Sequence, residues 1–428
     1  MDSFVLKGNI CHSISHDRIE CVPGGYLVCE NGVSRGIFTE LPEKYSNLPL
    51  VDNGDCLIIP GMSDLHIHAS QYAYRGMGMD LELLDWLYRY AFPEEAKFAD
   101  AEYADKAYTI FADAMRNSAT TRACIFASAH TDATLILMDK MEKTGLVSFV
   151  GRVNMDRDAP DSIREPDPAT AAKNTEDWVL SSRRFEHTYP ILTPRFIPSC
   201  TDKLLDALGE IRRKYEVSVQ SHISENLGEI ELVKKLRPDA RYYGDAYLKH
   251  GLFGDLGSSK TVMAHCVWSG DEELAVMKEN GVFICHCPAS NMNVASGIAP
   301  VRRYIELSMK MGLGSDVAGG QTESMFRAVT DAVQSSKLYW RHVDTAYKPI
   351  GLEEAFYLAT RGGGEFFGKV GAFDDGYEFD AVVLDDSSLP HPQPLDVRQR
   401  LERAVYLGVD RFGIRDKYVR GKRITLDK

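Results

Sequence analysis

The chain has 428 residues, of which 44% are hydrophobic and 26% charged, with a net charge of -13. That length admits a large barrel or two domains, and the composition is that of an ordinary soluble enzyme. The acidic balance argues against binding to a nucleic-acid backbone, because no basic stripe is present to release counterions.

Further exclusions come from local composition. No apolar run is long enough to span a bilayer, and Met1-Asp2-Ser3-Phe4 lacks the basic and apolar regions of a signal peptide. Nine cysteines form an odd set without a paired framework, which predicts reduced thiols in a cytoplasmic setting.

In chain order, the first segment reads as short strands over residues 4–10, 26–29 and 33–38, with an Asn31-Gly32 turn before the last of them. The middle alternates apolar strand candidates with amphipathic helical stretches, the pattern of repeated βα units around a parallel sheet. Eight strands are expected, over residues 62–68, 120–126, 146–153, 189–196, 217–222, 261–265, 282–287 and 311–316. Helical stretches include residues 101–117 and 204–215, while residues 156–176, polar and proline-bearing, are expected to form an irregular loop near the barrel mouth.

The last segment returns to short strands, at residues 379–384 and 419–423. The predicted architecture is therefore α/β. A (β/α)₈ TIM-like catalytic barrel spans residues 57–374, and a small composite β-sandwich is built from residues 1–56 plus 375–428.

Barrel active sites sit at the C-terminal ends of the strands, and here nearly every strand ends in a reactive residue. The first ends His66-Ile67-His68, and residues i and i+2 of a strand share a face, so both imidazoles project together. Two converging neutral imidazoles suit a borderline transition metal such as zinc.

The later strand ends supply Arg195, His222, His265, His286 and Asp316. Glu225 follows His222 within one turn, where it is expected to act as a proton shuttle beside a metal-activated water, a reading that can coexist with that of a helix N-terminal carboxylate. The glycines around Asp316, from Gly312 to Gly320, would let backbone approach a ligand closely. Cys285-His286-Cys287 is read as small buried hydrophobes rather than as a metal site.

These segments resemble the amidohydrolase superfamily in Pro60-Gly61, His66-Ile67-His68, His222, His265 and Gly314-Ser315-Asp316. Its guanine-deaminating branch is resembled in His68 to Tyr72, Leu84 to Leu87, Phe92-Pro93, Thr193 to Phe196, Ser221 to Asn226, His286 to Asn291 and Asp316 to Gly320. Cys266-Val267-Trp268 and Gln321-Thr322-Glu323 depart from that pattern.

The resemblance implies one metal per chain, Zn²⁺ with Fe or Mn as alternatives, held by His66, His68, His222 and Asp316. The strand-four lysine that bridges two metals in dinuclear relatives is absent, and Arg195 stands in that region. The implied reaction hydrolyses guanine at C2 to xanthine and ammonia, with Glu225, His265 and Asp316 as its acid–base groups.

Gln71, Arg195 and Phe196 would bind the base together with Glu225 and His265, and Trp86 would supply an apolar face or, by default, pack in the core. Arg195 donates only, which suits a ring carbonyl and mismatches an amino group. The implied partners are a purine base, water and a second copy in a homodimer, with no nucleic acid and no membrane. Related heterocycles such as 8-oxoguanine, a pterin or a triazine are the alternative substrates, and a metal-free scaffold is the contrasting class.

Overall fold

Parallel strands succeed one another through the middle of the computed structural model, which describes residues 3–426. They are Met62–His68, Thr120–Phe126, Val147–Gly151 with Val153–Asn154, Thr188–Pro194, Ser218–Ile223, Thr261–His265, Phe283–His286 and Met311–Leu313. The sheet has nine strands but eight barrel positions, because the third position is split on either side of Arg152.

The first and last positions meet through two backbone bonds, Asp316 N–H to the His66 carbonyl at 2.8 Å and His68 N–H to the Val317 carbonyl at 2.9 Å. The last strand is shorter than expected. Its regular ladder ends at Leu313, and Asp316 beyond it takes a left-handed backbone, φ 47°.

Amphipathic helices cover the sheet. Ala101–Asn117 buries Ala104, Ala107, Tyr108, Phe111 and Met115 at helical spacing, and Asp100 caps it by accepting from Glu102 N–H. Asp202–Tyr215 begins two residues earlier than its apolar spacing suggests, because Thr201 caps it.

The loop expected over residues 156–176 is corrected in its second half, where Pro168–Ser181 is a helix. Asp167 accepts from Ala169 and Thr170 N–H, and Pro168 occupies the first helical position, so the Asp-Pro pair is a helix start rather than a turn. Among the described residues no helix is long and apolar enough to cross a membrane.

Both ends of the chain build one mixed sheet of seven strands, ordered Lys422–Ile424, Ile414–Val419, Ala381–Leu384, Leu50–Pro60, Phe4–Ser15, Arg18–Glu30 and Val33–Phe38. The expected composite of both termini forms, its strands joined in one curled sheet. Two strands separate Phe4–Ser15 from Ile414–Val419, which in a flat sheet means about 14 Å, yet the Phe4 and Tyr418 rings lie 5.1 Å apart.

Alternation then sorts the side chains of this sheet. Leu57, Ile59, Val382 and Leu384 join the barrel core, while Ile58, Ala381 and Val383 join Phe4, Phe379 and Tyr418 inside the curl.

Candidate metal and purine site

The backbone bonds that close the barrel also assemble its mouth. They bring Asp316 Oδ1 to 3.2 Å from His66 Nε2 and 3.4 Å from His68 Nε2, and the two Nε2 atoms are 3.2 Å apart. Asp64, buried beneath them, fixes this corner. Its Oδ1 accepts from His66 N–H at 3.1 Å and Ser315 N–H at 3.0 Å, and its Oδ2 accepts from the Ser315 hydroxyl at 2.5 Å.

From the fifth strand, His222 brings its ring to 4.7 Å from that of His66. Its Nδ1–H donates to the Arg195 carbonyl at 2.6 Å, which leaves the Nε2 lone pair for a ligand. His265 Nδ1–H donates to Asn291 Oδ1 at 2.9 Å, and its Nε2 stands 3.4 Å from Glu225 Oε2 and 3.6 Å from Asp316 Oδ2.

The charge states suit a cation. Burial first, and then the neighbouring imidazoles, hold His68 and His222 well below the ordinary histidine range, so both offer neutral lone pairs. Burial opposes ionisation of Asp316, but the facing imidazoles, His66 foremost, outweigh it and hold the carboxyl below the usual range.

The donor atoms also have the right spacing. Four ligands at about 2.1 Å from a tetrahedral ion lie about 3.4 Å from one another, and the His66, His68 and Asp316 edges measure 3.2–3.4 Å. The donor atoms of His66, His222 and His265 lie within 4.8 Å of one another, as do those of His66, His68 and Asp316. The residues fit a single four-coordinate metal. Cys287 also falls within reach of His265 and Asp316, although its thiol is buried in the apolar barrel interior with Cys124 and Cys285.

Above the donors lies a narrow cavity. His68, Gln71, Arg195, Phe196, His222, Glu225, His265 and Asp316 all line it, so the structure brings together every residue expected there except His66, which lies against the floor. Trp86 lines it as well, with Leu83 and Leu87, while also packing in the hydrophobic core. Of the glycines around Asp316, Gly319 reaches the cavity. Gly314 instead makes room for protein, since a Cβ there would fall 2.5 Å from Cys285 Sγ.

Glu225 has no capping duty. The helix Leu227–Leu236 is capped by Asn226 and Glu229, and Glu229 Oε2 accepts from Glu225 N–H at 3.1 Å. The Glu225 side chain instead accepts from the Ser296 hydroxyl at 3.1 Å and faces His265. Burial first, and then the negative Asp316, push its carboxyl up to about 8, so it holds a proton at neutral pH.

Backbone strain collects at the same place, with left-handed φ angles at Ser224, His265, Cys266 and Asp316. Sequence reasoning missed Asp64, Glu95, Asn291 and Ser296 as supporting residues. Asn291 stood inside a motif already singled out, and Glu95 lies one helical turn after Phe92.

Comparison with known proteins agrees with this geometry. The amidohydrolase family profile matches residues 57–423. Guanine deaminase of Dictyostelium discoideum is 34% identical over 98% of this chain and 98% of its own length. The Homo sapiens guanine deaminase is 39% identical over 86% of this chain and 82% of its own. A crystal structure of guanine deaminase from C. acetobutylicum, with guanine bound in its active site, superposes with a TM-score of 0.95 at 44% identity, covering 99% of this chain and all of that one. The chain belongs to the amidohydrolase family, in its guanine deaminase branch.

Proposed function

We propose that this protein hydrolyses guanine to xanthine and ammonia, as a step of purine catabolism. The observation that carries the reading is the likeness, over 99% of the chain, to a guanine deaminase holding guanine. A divalent cation, zinc by preference, would be held by His66, His68, His222 and Asp316, and would supply a nucleophilic water by lowering its pKa toward about 7.

The protein's own groups do the rest. Asp316 accepts the proton of the attacking water, and His265 orients that water. Glu225 delivers a proton to the ring nitrogen beside C2, which makes that carbon electrophilic. A proton then reaches the exocyclic nitrogen and ammonia departs. Arg195 donates to the ring carbonyl, Gln71 meets the heterocycle edge, and Phe196 forms an apolar wall. Composition and family likeness support a cytoplasmic homodimer.

A spectrophotometric screen of metal-analysed protein against guanine, 8-oxoguanine, adenine, cytosine and a pterin tests the reading. Guanine should turn over fastest and adenine hardly at all. Arg195→Met should lower efficiency on guanine roughly ten- to a hundredfold, with a much smaller loss on 2-aminopurine, which lacks the carbonyl. Equal losses on both bases would refute carbonyl recognition by Arg195.

A further inference from the structure

We propose that Glu95 is a positioning residue. It fixes which groups of the pocket donate and which accept, and it makes the pocket prefer a neutral oxopurine over an anionic one. The inference rests on the guanine-hydrolysing reading above. Glu95 is buried on the short helix Phe92–Ala96. Its Oε2 accepts from Arg195 Nη1 at 2.6 Å, and its Oε1 accepts from Gln71 Nε2 at 2.8 Å. Phe92, three residues earlier, places its ring 5.0 Å from the Arg195 guanidinium carbon. Side chains at i and i+3 of one helix thus hold the guanidinium, by charge and by an aromatic face.

The first consequence concerns Gln71. The two ends of an amide are easily interchanged, but a carboxylate only accepts, so Glu95 forces Nε2 toward itself. Ala318 N–H donates to Oε1 at 3.3 Å and demands the same orientation from the other side. Gln71 is left with one lone pair of Oε1 and one Nε2–H, each at a fixed place on the cavity wall, whereas Arg195 supplies only donors. Guanine carries the complementary pair, a ring carbonyl and ring N–H groups.

The second consequence concerns charge. Arg195 and Glu95 are 3% and 2% exposed, so their charges cancel out of contact with water. Without Glu95, a buried guanidinium would lack its counter-charge and would draw anions. Xanthine, with a second ring carbonyl in place of the amino group, is the stronger acid and ionises more readily than guanine. The Glu95 charge therefore favours entry of the neutral substrate and release of the product.

The test compares metal-loaded wild type, E95Q and E95D, with metal content and melting recorded for each. Guanine and xanthine affinities are read by calorimetry at slightly acidic and at alkaline pH, beside KM and kcat for guanine. Failure of the wild type to turn over guanine would count against the proposed function. The binding measurements judge Glu95 separately.

E95Q should weaken guanine binding and raise KM about tenfold, with a smaller change in kcat. It should also tighten xanthine about tenfold at alkaline pH. E95D, which keeps the charge, should keep the wild-type preference for guanine. Should E95Q fail to fold, E95Q/R195M removes both charges together, a change that buried pairs tolerate better, and the alkaline gain in xanthine affinity should be absent from it. Equal weakening of both ligands in E95Q at both pH values, or an alkaline gain that persists in the double variant, would overturn the proposal.

Discussion

Two clusters of buried charge occupy opposite ends of the barrel, and they are built on different rules. At the strand N-termini, Arg122 Nε donates to Asp380 Oδ2 at 2.7 Å, and its Nη2 donates to Asp380 Oδ1 and Glu378 Oε2, both at 2.9 Å. Arg420 adds a backbone bond to Asp380 and a side-chain bond to Glu378. Lys417 Nζ donates to the carbonyls of Met115, Arg116 and Ser118 at 2.8–3.0 Å. The charged groups of this cluster are all paired within the protein, and it joins the terminal sheet to the barrel.

At the other end, imidazoles and carboxyls face one another across a cavity. His265 Nε2, which faces the cavity, is buried without a hydrogen-bond partner among the described residues. Burial alone does not separate structure from function. The closed set of bonds marks a joint, and the open set marks groups arranged for something that arrives from outside.

Removing that outside partner should give the largest effect. Dialysis against a chelator should abolish turnover while circular dichroism stays near its native form, because the joint at the far end needs no metal. Added zinc should restore activity at about one ion per chain. A requirement for two ions would break the assignment of one four-ligand centre.

Glu225→Gln comes next, with turnover lowered ~10²–10⁴-fold and metal content retained. If this variant loses its metal but, once reloaded, turns over at a near-normal rate, Glu225 belongs among the ligands.

The joint should answer in stability instead. Arg122→Met leaves Asp380 buried without its main partner, a loss of about 3–5 kcal/mol in chemical denaturation. Its kcat per folded molecule should match the wild type. A matching fall in kcat would mean that the two clusters are coupled through the barrel, and the contrast between them would fail.

The open cluster was more legible in the sequence than the closed one. His66, His68, His222, His265 and Asp316 announce themselves because strand ends of a βα barrel converge, so spacing alone places them together. Arg122 pairs with residues more than 250 positions away, and no local pattern joins it to Asp380. The same limit hid Glu95, whose partner Arg195 is 100 residues distant. It also hid Asp64, whose bonds to Ser315 cross 251 positions.

The curl of the terminal sheet was not legible for a related reason. Alternation tells which side chains share a face, but curvature depends on long-range contacts such as Phe4 with Tyr418. The helix Pro168–Ser181 was a local miss, since its Asp-Pro start was visible in the sequence.

The smallest expected effect is one of pH, and it separates the two clusters without removing either. Burial, and secondarily the charge of Asp316, raise the Glu225 carboxyl from an ordinary 4.5 to about 8, against the opposing bond from Ser296. A carboxyl raised in the folded state is stabilising in its protonated form. Its contribution is full below about 4.5 and is lost as pH rises through about 8. A donor that must carry a proton to the ring nitrogen is therefore ready at neutral pH and lost above it. Turnover should fall by about tenfold per pH unit well above that point. Glutamine cannot titrate, so the residual activity of Glu225→Gln should lack this descending limb, whereas Arg122→Met should keep it unchanged. A limb that persists at the same position in Glu225→Gln would show that another group sets it, and the proton-donor role of Glu225 would fall.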